Sequence, residues 1–206
     1  MWVRADTRKA ESKVPVVDPA QLRPLVTPKS PPLRLTDKPF PPYRHVPGLT
    51  PHPVTHPDGH SHGLNRSDPG KAFPWLLPQD WSACTPYLYG LDLFNYGYHW
   101  EDHEEWEEAW HAVGPETQVG QFLQGLIQVS AALLKRHMGV HRGAANLSSK
   151  AFAKFVRLEG ELRPEKGDFV YMGILVTNWR QAVNSFLAGS GAEFPFLLPQ
   201  SAAERV

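Results

Sequence analysis

The sequence has little cysteine and no excess of charge of either sign, and each shortage excludes a class of protein. Its one cysteine, Cys84, cannot form an intramolecular disulfide or a cysteine-based zinc knuckle, which favours a reducing compartment. The 21 Lys and Arg residues balance 21 Asp and Glu residues, so the chain lacks the basic surplus that binds nucleic acids or anionic membranes. No apolar run reaches the ~20 residues of a membrane span, and the first residues lack the apolar core of a signal peptide. We therefore expect a cytoplasmic protein that binds neither nucleic acid nor membrane.

Proline is abundant and unevenly distributed, since 16 of the 21 prolines lie at or before Pro78. Proline fixes φ, removes a backbone donor and disfavours helix in the residue before it. Residues 1–38 combine prolines with more basic than acidic residues, which predicts a flexible or extended basic tail. Residues 39–78 add aromatic and histidine side chains that can anchor the segment. We therefore predict that residues 39–78 form an ordered coil packed on the rest of the protein.

After Pro78 the apolar residues recur at three- and four-residue spacings, and glycine or proline marks each break. The pattern predicts five helices, near residues 86–96, 98–112, 115–138, 141–160 and 169–188. Short joints between helices favour antiparallel neighbours. The predicted fold is all-α, an up-and-down helical bundle of about five helices wrapped by the proline-rich extension. The bundle is expected to span residues 79–190, and a C-terminal tail to span residues 191–206.

The second predicted helix contains the strongest candidate site, because six of the eight residues 101–108 are acidic. His99, His103 and Glu107 are spaced four apart and would share one helix face. Two imidazoles and a carboxylate could form half of a site for one divalent metal ion. Three such ligands suit Zn²⁺, and further oxygen ligands would suit Mn²⁺ or Fe²⁺. The other acidic residues of this helix are expected to face water: Glu101, Glu105 and Glu108.

The same pattern has a structural interpretation, in which the histidines bond to carboxylates on a solvated acidic face. Three tryptophans in this stretch indicate that one side of the helix is buried, and carboxylates near that side need partners. On the third predicted helix, Gln124 and Gln128 lie opposite the leucine face and are expected to pack against the acidic helix. They would orient metal ligands, or they would satisfy carboxylates in a network without metal. The sequence leaves both interpretations open.

A second group of histidines lies in the proline-rich coil: His52, His56, His60 and His62. In a coil broken by prolines, four-residue spacing does not place side chains on a common face. A polar surface coil is one interpretation, and a lid that brings His60 to the helical site is the other. Serine-based catalysis has little support, and the motifs of phosphate-binding and dinucleotide-binding loops are absent.

Three stretches of the chain together resemble a known family: LFNYGYHWEDHEEWEEAW, FLQGLIQVSAALLKRHMG and GAANLSSKA. They are similar to DUF309, a family of small all-helical proteins of unknown function, some of them described as predicted metal-dependent hydrolases. The resemblance covers about residues 39–187. It implies that the polar signature of the family falls here on Asn95, His103, Glu104, Glu107, Gln124 and Gln128. The sequence departs from the pattern at His99, where an aromatic residue is expected, and at Asp102, where alanine is expected.

Two hypotheses about function follow. The first is a metal-dependent hydrolase of a small molecule, in which His103 and Glu107, with His99, hold the metal and Glu104 is a further ligand or a general base. Residues that would orient these groups are Asn95, Gln124 and Gln128. The second is a non-catalytic helical scaffold or interaction domain with a buried His/Glu/Gln hydrogen-bond network. The substrate, the metal and the formation of a homo-oligomer are left open by the sequence.

Overall fold

The computed structural model describes residues 28–64, 77–162, 168–189 and 191–200, and five α-helices form its body. The helices are α1 (Thr85–Asn95), α2 (Glu101–Val113), α3 (Gln118–His137), α4 (His141–Leu162) and α5 (Val176–Ala188). A short 3₁₀ helix, Pro78–Ala83, precedes α1. Two strands, β1 (Val170–Tyr171) and β2 (Ile174–Leu175), pair in antiparallel fashion before α5. The predicted helical bundle is confirmed.

Helices that follow one another in the chain pack side by side from α1 to α4, and two glycines allow the closest approaches. A Cβ on Gly90 of α1 would lie 2.1 Å from Nε1 of Trp106 in α2. A Cβ on Gly125 of α3 would lie 2.4 Å from the Phe155 ring in α4. Both aromatic rings are fully buried, as is Phe122 between them in sequence. Because interiors are close-packed, any larger residue at either glycine must push two helices apart.

The prediction was wrong for the first third of the fifth helix. The prediction began at residue 169, whereas α5 begins at Val176 and the residues before it form the β1–β2 hairpin. Met172 and Gly173 have φ of 47° and 79°, and positive φ at both central positions is typical of a type I′ hairpin turn. Gly173 has no room for a side chain, because a Cβ would lie 2.5 Å from the Trp81 ring. A glycine inside the predicted helix was the available signal for this break.

Two coil segments cover the bundle. Residues 28–64 contact α1 and α2, and residues 191–200 contact α1 and α5. In the second segment, the carbonyl of Pro195 accepts a hydrogen bond from Nε1 of Trp179 at 2.9 Å. The amide of Gln200 donates to the Gly173 carbonyl at 2.7 Å, which joins this segment to the hairpin.

Parts of the predicted organisation lie outside the described residues: 1–27 of the basic tail, 65–76 of the coil and 201–206 of the C-terminal tail. Residues 28–38, which the prediction assigned to the tail, contact α1. Among the helices that the structure describes, none has both the length and the apolar composition needed to cross a membrane.

Candidate functional site

The face of α1 and α2 that is covered by coil carries a set of buried polar side chains. Asp92, Asn95, Glu101 and Asp102 are each at most 3% exposed. Burial of a carboxylate is strongly unfavourable unless hydrogen bonds or opposite charges compensate for the lost water. The hydrogen-bond partners of these four side chains therefore indicate which segments this face of the two helices binds.

Asp92 binds the main chain of the N-terminal coil. Its Oδ1 accepts the Leu35 amide at 2.7 Å, and its Oδ2 accepts the amide and the hydroxyl of Thr36 at 2.9 and 2.7 Å. Nε of Arg34 lies 3.9 Å from the same Oδ2. Sequence analysis missed this residue, although an aspartate inside the apolar stretch Leu91–Phe94 was a signal of a buried acid that needs donors.

Three tyrosines beside Asp92 surround the ring of Phe40. The ring centroids lie 4.9 Å from Tyr96, 5.0 Å from Tyr98 and 6.3 Å from Tyr89. Offset and tilted contacts of this kind stabilise aromatic clusters beyond the area they bury. Phe40 thus anchors the coil on the tyrosines. We call the receiving surface the tyrosine platform; it consists of Tyr89, Asp92, Tyr96, Tyr98 and Glu105.

The platform also contacts proline carbonyls and a lysine of the coil. The Tyr89 hydroxyl donates to the Pro39 carbonyl at 2.8 Å, and the Tyr96 hydroxyl donates to the Pro32 carbonyl at 3.1 Å. Burial raises the pKa of Tyr89 to about 12, so its hydroxyl keeps the proton that it donates. Nζ of Lys38 lies 2.9 Å from each carboxylate oxygen of Glu105 and 4.0 Å from the centroid of the Tyr89 ring.

Glu101, in the first turn of α2, is a second buried acceptor for the coil. Its Oε1 accepts the His45 amide at 2.8 Å. Burial raises the pKa of Glu101 to about 8, although the bond from the His45 amide acts in the opposite direction. The expectation that this residue faces water was wrong, because the coil covers the first turn of α2. Of the other acids in that expectation, Glu105 is partly buried and Glu108 is exposed.

The structure places His60 on the acidic helix, beside Glu101. Its Nε2 lies 3.2 Å from Oε1 of Glu101, and the two side chains are 3% and 2% exposed. Its Nδ1 lies 2.9 Å from the Ser61 hydroxyl, and the Tyr43 hydroxyl accepts its amide at 3.3 Å. Phe40 anchors the coil on the tyrosines, and this contact anchors it a second time, on α2, about 20 residues later in the chain. Its role as a catalytic lid stays a prediction.

Three aromatic rings pack together near the contact between His60 and Glu101. The ring centroids of His45, His52 and Trp100 lie 4.7 to 5.4 Å apart in tilted and edge-to-face contacts. Burial, together with the smaller effect of the nearby His52, lowers the pKa of His45 to about 4. His45 is therefore neutral at physiological pH, and its Nδ1 lies 2.8 Å from the Thr50 hydroxyl.

His99 and Asp102 bond to each other at the start of α2. Nδ1 of His99 lies 3.3 Å from Oδ2 of Asp102, and the His99 ring stacks on Phe194 with an interplanar angle of 14°. Burial raises the pKa of Asp102, while His99 and the nearby Ser130 hydroxyl lower it. Oδ1 of Asp102 and the Ser130 hydroxyl are both buried without a hydrogen bond of ordinary geometry. His99 precedes α2, so it does not share a helix face with His103.

The structure separates the predicted metal ligands into different surroundings. Nε2 of His103 lies 4.0 Å from Oε2 of Glu107, and these side chains are 29% and 45% exposed. Oε1 of Glu104 accepts a hydrogen bond from Nε1 of Trp100 at 2.8 Å. His99 faces Asp102 instead. In the part of the chain that the structure describes, no three His, Cys, Asp or Glu side chains form a group that could hold a metal ion.

The residues predicted to orient those ligands have other partners. Nδ2 of Asn95 donates to the Leu197 carbonyl at 2.8 Å, and its Oδ1 accepts the Leu197 amide at 2.7 Å. Gln124 is half-buried, and Oε1 of Gln128 is buried without a hydrogen bond. Asn95 instead holds the C-terminal coil on α1.

Residues 87–147 match the model of the DUF309 family, whose description is a domain of unknown function. The match contains α1 except for its first two residues, the whole platform, all of α2 and α3, and the start of α4. It confirms the resemblance seen in the sequence, over a shorter range than residues 39–187. No curated protein matches the chain.

Proposed function

We propose that this DUF309 domain is a non-catalytic helical interaction domain, whose α1–α2 face binds extended main chain. The observation that supports the proposal is the buried Asp92 carboxylate, which accepts two consecutive coil amides, those of Leu35 and Thr36. Glu101 accepts a third amide, that of His45. Contacts to backbone groups hold a segment in extended form and leave its side chains free to set specificity.

The metal-dependent hydrolase is the alternative, and the geometry of its ligands favours it less. A catalytic zinc site needs three protein ligands within reach of one ion, with a fourth position open. His103 and Glu107 are partly exposed and 4.0 Å apart, while His99 is turned towards Asp102 in the interior. The buried acids of this face contact the coil or a neighbouring histidine, which supports an interaction domain.

Metal analysis of the full chain, purified without a histidine tag, tests the proposal. After incubation with Zn²⁺, Mn²⁺ or Fe²⁺ and removal of unbound ions, we expect substoichiometric metal in the wild type and in His103→Ala alike. Glu108→Ala, which changes an exposed acid of the same helix, is the matched control. Stoichiometric metal that is lost in His103→Ala and retained in Glu108→Ala would overturn the proposal in favour of the hydrolase.

Amide hydrogen exchange tests the binding of main chain. Asp92→Asn removes the charge that receives the Leu35 and Thr36 amides, and a hydrogen bond to a charged group contributes about 1.5–3 kcal/mol. Exchange of these two amides should therefore become about 10- to 100-fold faster than in the wild type. Asp37→Asn, at an exposed position of the same coil, should leave them unchanged. Equal exchange in the wild type and Asp92→Asn would contradict the proposal.

A further inference from the structure

We infer that the tyrosine platform is a binding site for proline-rich basic peptide segments of another protein, and that residues 32–40 occupy it in cis. The inference rests on the proposed function and specifies the chemistry of the partner. Residues 32–40 have the sequence PLRLTDKPF, which begins and nearly ends with proline and carries two basic residues. The contacts of this segment show which of its features the platform recognises.

The two prolines present carbonyl groups to the platform, and their fixed φ holds the segment extended, which is the property that alanine lacks. The hydroxyls of Tyr96 and Tyr89 donate to the carbonyls of Pro32 and Pro39, seven residues apart in the segment. Between these two points Asp92 accepts two consecutive main-chain amides. A proline-rich segment is already extended in solution, so it loses little entropy when it lies on an aromatic surface. This arrangement fits an extended segment with prolines at its two ends.

Basic residues are recognised by carboxylates and by aromatic rings. Lys38 binds Glu105 and lies over the Tyr89 ring. Nε of Arg34 lies 3.9 Å from Oδ2 of Asp92, and its guanidinium packs on Phe40 of the same segment, 4.2 Å from the ring centroid. Six of the eight residues 101–108 in the adjacent helix are acidic. Charge complementarity therefore favours basic segments and disfavours acidic ones.

The cis segment is held by hydrogen bonds and by one aromatic ring, and its two leucines bury little apolar surface, which allows a competitor to displace it. Leu33 is 94% exposed and Leu35 is 40% exposed, so neither contributes a buried anchor. Phe40 is the aromatic anchor of the segment on the platform. A segment with few buried apolar contacts opens at a low free energy. Because it is tethered, its effective concentration is of the order of millimolar, and a free peptide must compete with that value.

The test is a fluorescence titration of the full-length chain with a labelled peptide of residues 30–42, SPPLRLTDKPFPP. Phe40→Ala weakens the cis segment and leaves every platform residue in place. We expect the peptide to bind Phe40→Ala with a Kd at least about tenfold lower than the wild type. Adding Asp92→Asn to Phe40→Ala should raise the Kd at least about tenfold, because the peptide amides lose their acceptor. Leu33→Ala is the matched control, and its Kd should equal that of the wild type.

Two altered peptides test the two recognition features. Replacing Pro32 and Pro39 by alanine, or Arg34 and Lys38 by glutamate, should each raise the Kd for Phe40→Ala at least about tenfold. Equal affinity of the native and altered peptides would overturn the inference. Should Phe40→Ala lose its helical circular dichroism, Thr36→Val weakens the cis segment instead, since it removes the hydroxyl bond to Asp92.

The failure of this inference can be told apart from failure of the proposed function. If the Kd is the same in the wild type and the weakened chain, with the helical signal intact, the inference is overturned. If at the same time Asp92→Asn still accelerates exchange of the Leu35 and Thr36 amides, the proposed function stands. Stoichiometric metal that depends on His103 overturns the proposed function whatever the peptide does.

Discussion

The polar residues of α2 form two groups that differ in burial and in partners. At the start of the helix, Glu101 and Asp102 are 3% and 0% exposed, and they bond to the coil and to His99. The side chains of His103, which follows Asp102 directly, and of Glu107 are 29% and 45% exposed and contact each other at 4.0 Å. All of these residues lie in one acidic run of sequence. Their surroundings differ because the coil covers Glu101, and His99 with Ser130 of α3 lies against Asp102. The burial of an acidic side chain on α2 therefore depends on what packs over it and not on the composition of the run.

The strongest test of this comparison removes the buried carboxylate of α1. Asp92→Ala leaves two amides and a hydroxyl of the coil without their acceptor, and we expect the free energy of unfolding to fall by about 3 kcal/mol. Urea denaturation of the full chain measures the change. Asp37→Ala, at an exposed aspartate of the same coil, should change it by less than about 0.5 kcal/mol. If Asp92→Ala and Asp37→Ala lowered the free energy of unfolding by similar amounts, buried and exposed acidic side chains would not differ in their contribution to stability.

The next test concerns the contact between α1 and the C-terminal coil. Asn95→Ala breaks both hydrogen bonds to Leu197, and we expect a loss of about 2 kcal/mol in the free energy of unfolding. Thermal denaturation and exchange of the Leu197 amide measure the effect. Asn184→Ala, at an exposed position of α5, should be neutral or slightly stabilising because alanine favours helix. If the Leu197 amide exchanged as slowly in Asn95→Ala as in the wild type, Asn95 would not be the residue that holds the C-terminal coil on α1.

A third test uses the pH dependence of stability. The pKa of Glu101 is raised from 4.5 in the unfolded chain to about 8 in the fold by burial, so the folded state binds more protons between these values. Stability should therefore fall as the pH rises, by about 1 to 2 kcal/mol between pH 6.5 and 8. Glu101→Gln cannot ionise and should lose that contribution, as chemical denaturation at several pH values will show. Glu108→Gln should retain it, and an identical slope in all three proteins would contradict the prediction.

The smallest effect is expected at the exposed pair of α2. His103→Ala and Glu107→Ala should each change the free energy of unfolding by less than about 0.5 kcal/mol, because a partly exposed pair at 4.0 Å contributes little. The double variant should equal the sum of the single ones. If His103→Ala lowered the free energy of unfolding by more than about 1.5 kcal/mol, His103 would resemble the buried residues of α2. Such a result would support a role for His103 in a functional site.

The helices could be predicted because their apolar residues keep one period over many turns. In α3, the buried residues Val119, Phe122, Leu123 and Leu126 follow this spacing without interruption. The β1–β2 hairpin could not be predicted, because strands of two residues are too short to show an alternation of apolar and polar side chains. Only Gly173 marked it, and a single glycine is compatible with a helix.

The candidate site was harder to predict, because its partners are backbone groups. Asp92 and Glu101 bond to amides 56 or 57 residues away along the chain, and an amide has no signature in the sequence. The spacing rule that joined His99 to His103 assumed a helix from about residue 98, whereas α2 begins at Glu101. The aromatic content of the coil did indicate that it packs on the helices, and His60 beside Glu101 agrees with that indication.

The attachment of two distant coils to α1 has a consequence for folding kinetics. Asp92 bonds a residue 57 positions earlier, and Asn95 bonds one 102 positions later, whereas α1 to α4 pack on their chain neighbours. Because closing long loops is entropically costly, we expect the helices to assemble first and these two contacts to form after the rate-limiting barrier. Weakening either contact should then accelerate unfolding and leave the refolding rate nearly unchanged. We therefore expect variants at two residues, one turn apart on a single helix, to shorten the lifetime of the coil contacts more than they slow folding of the helices.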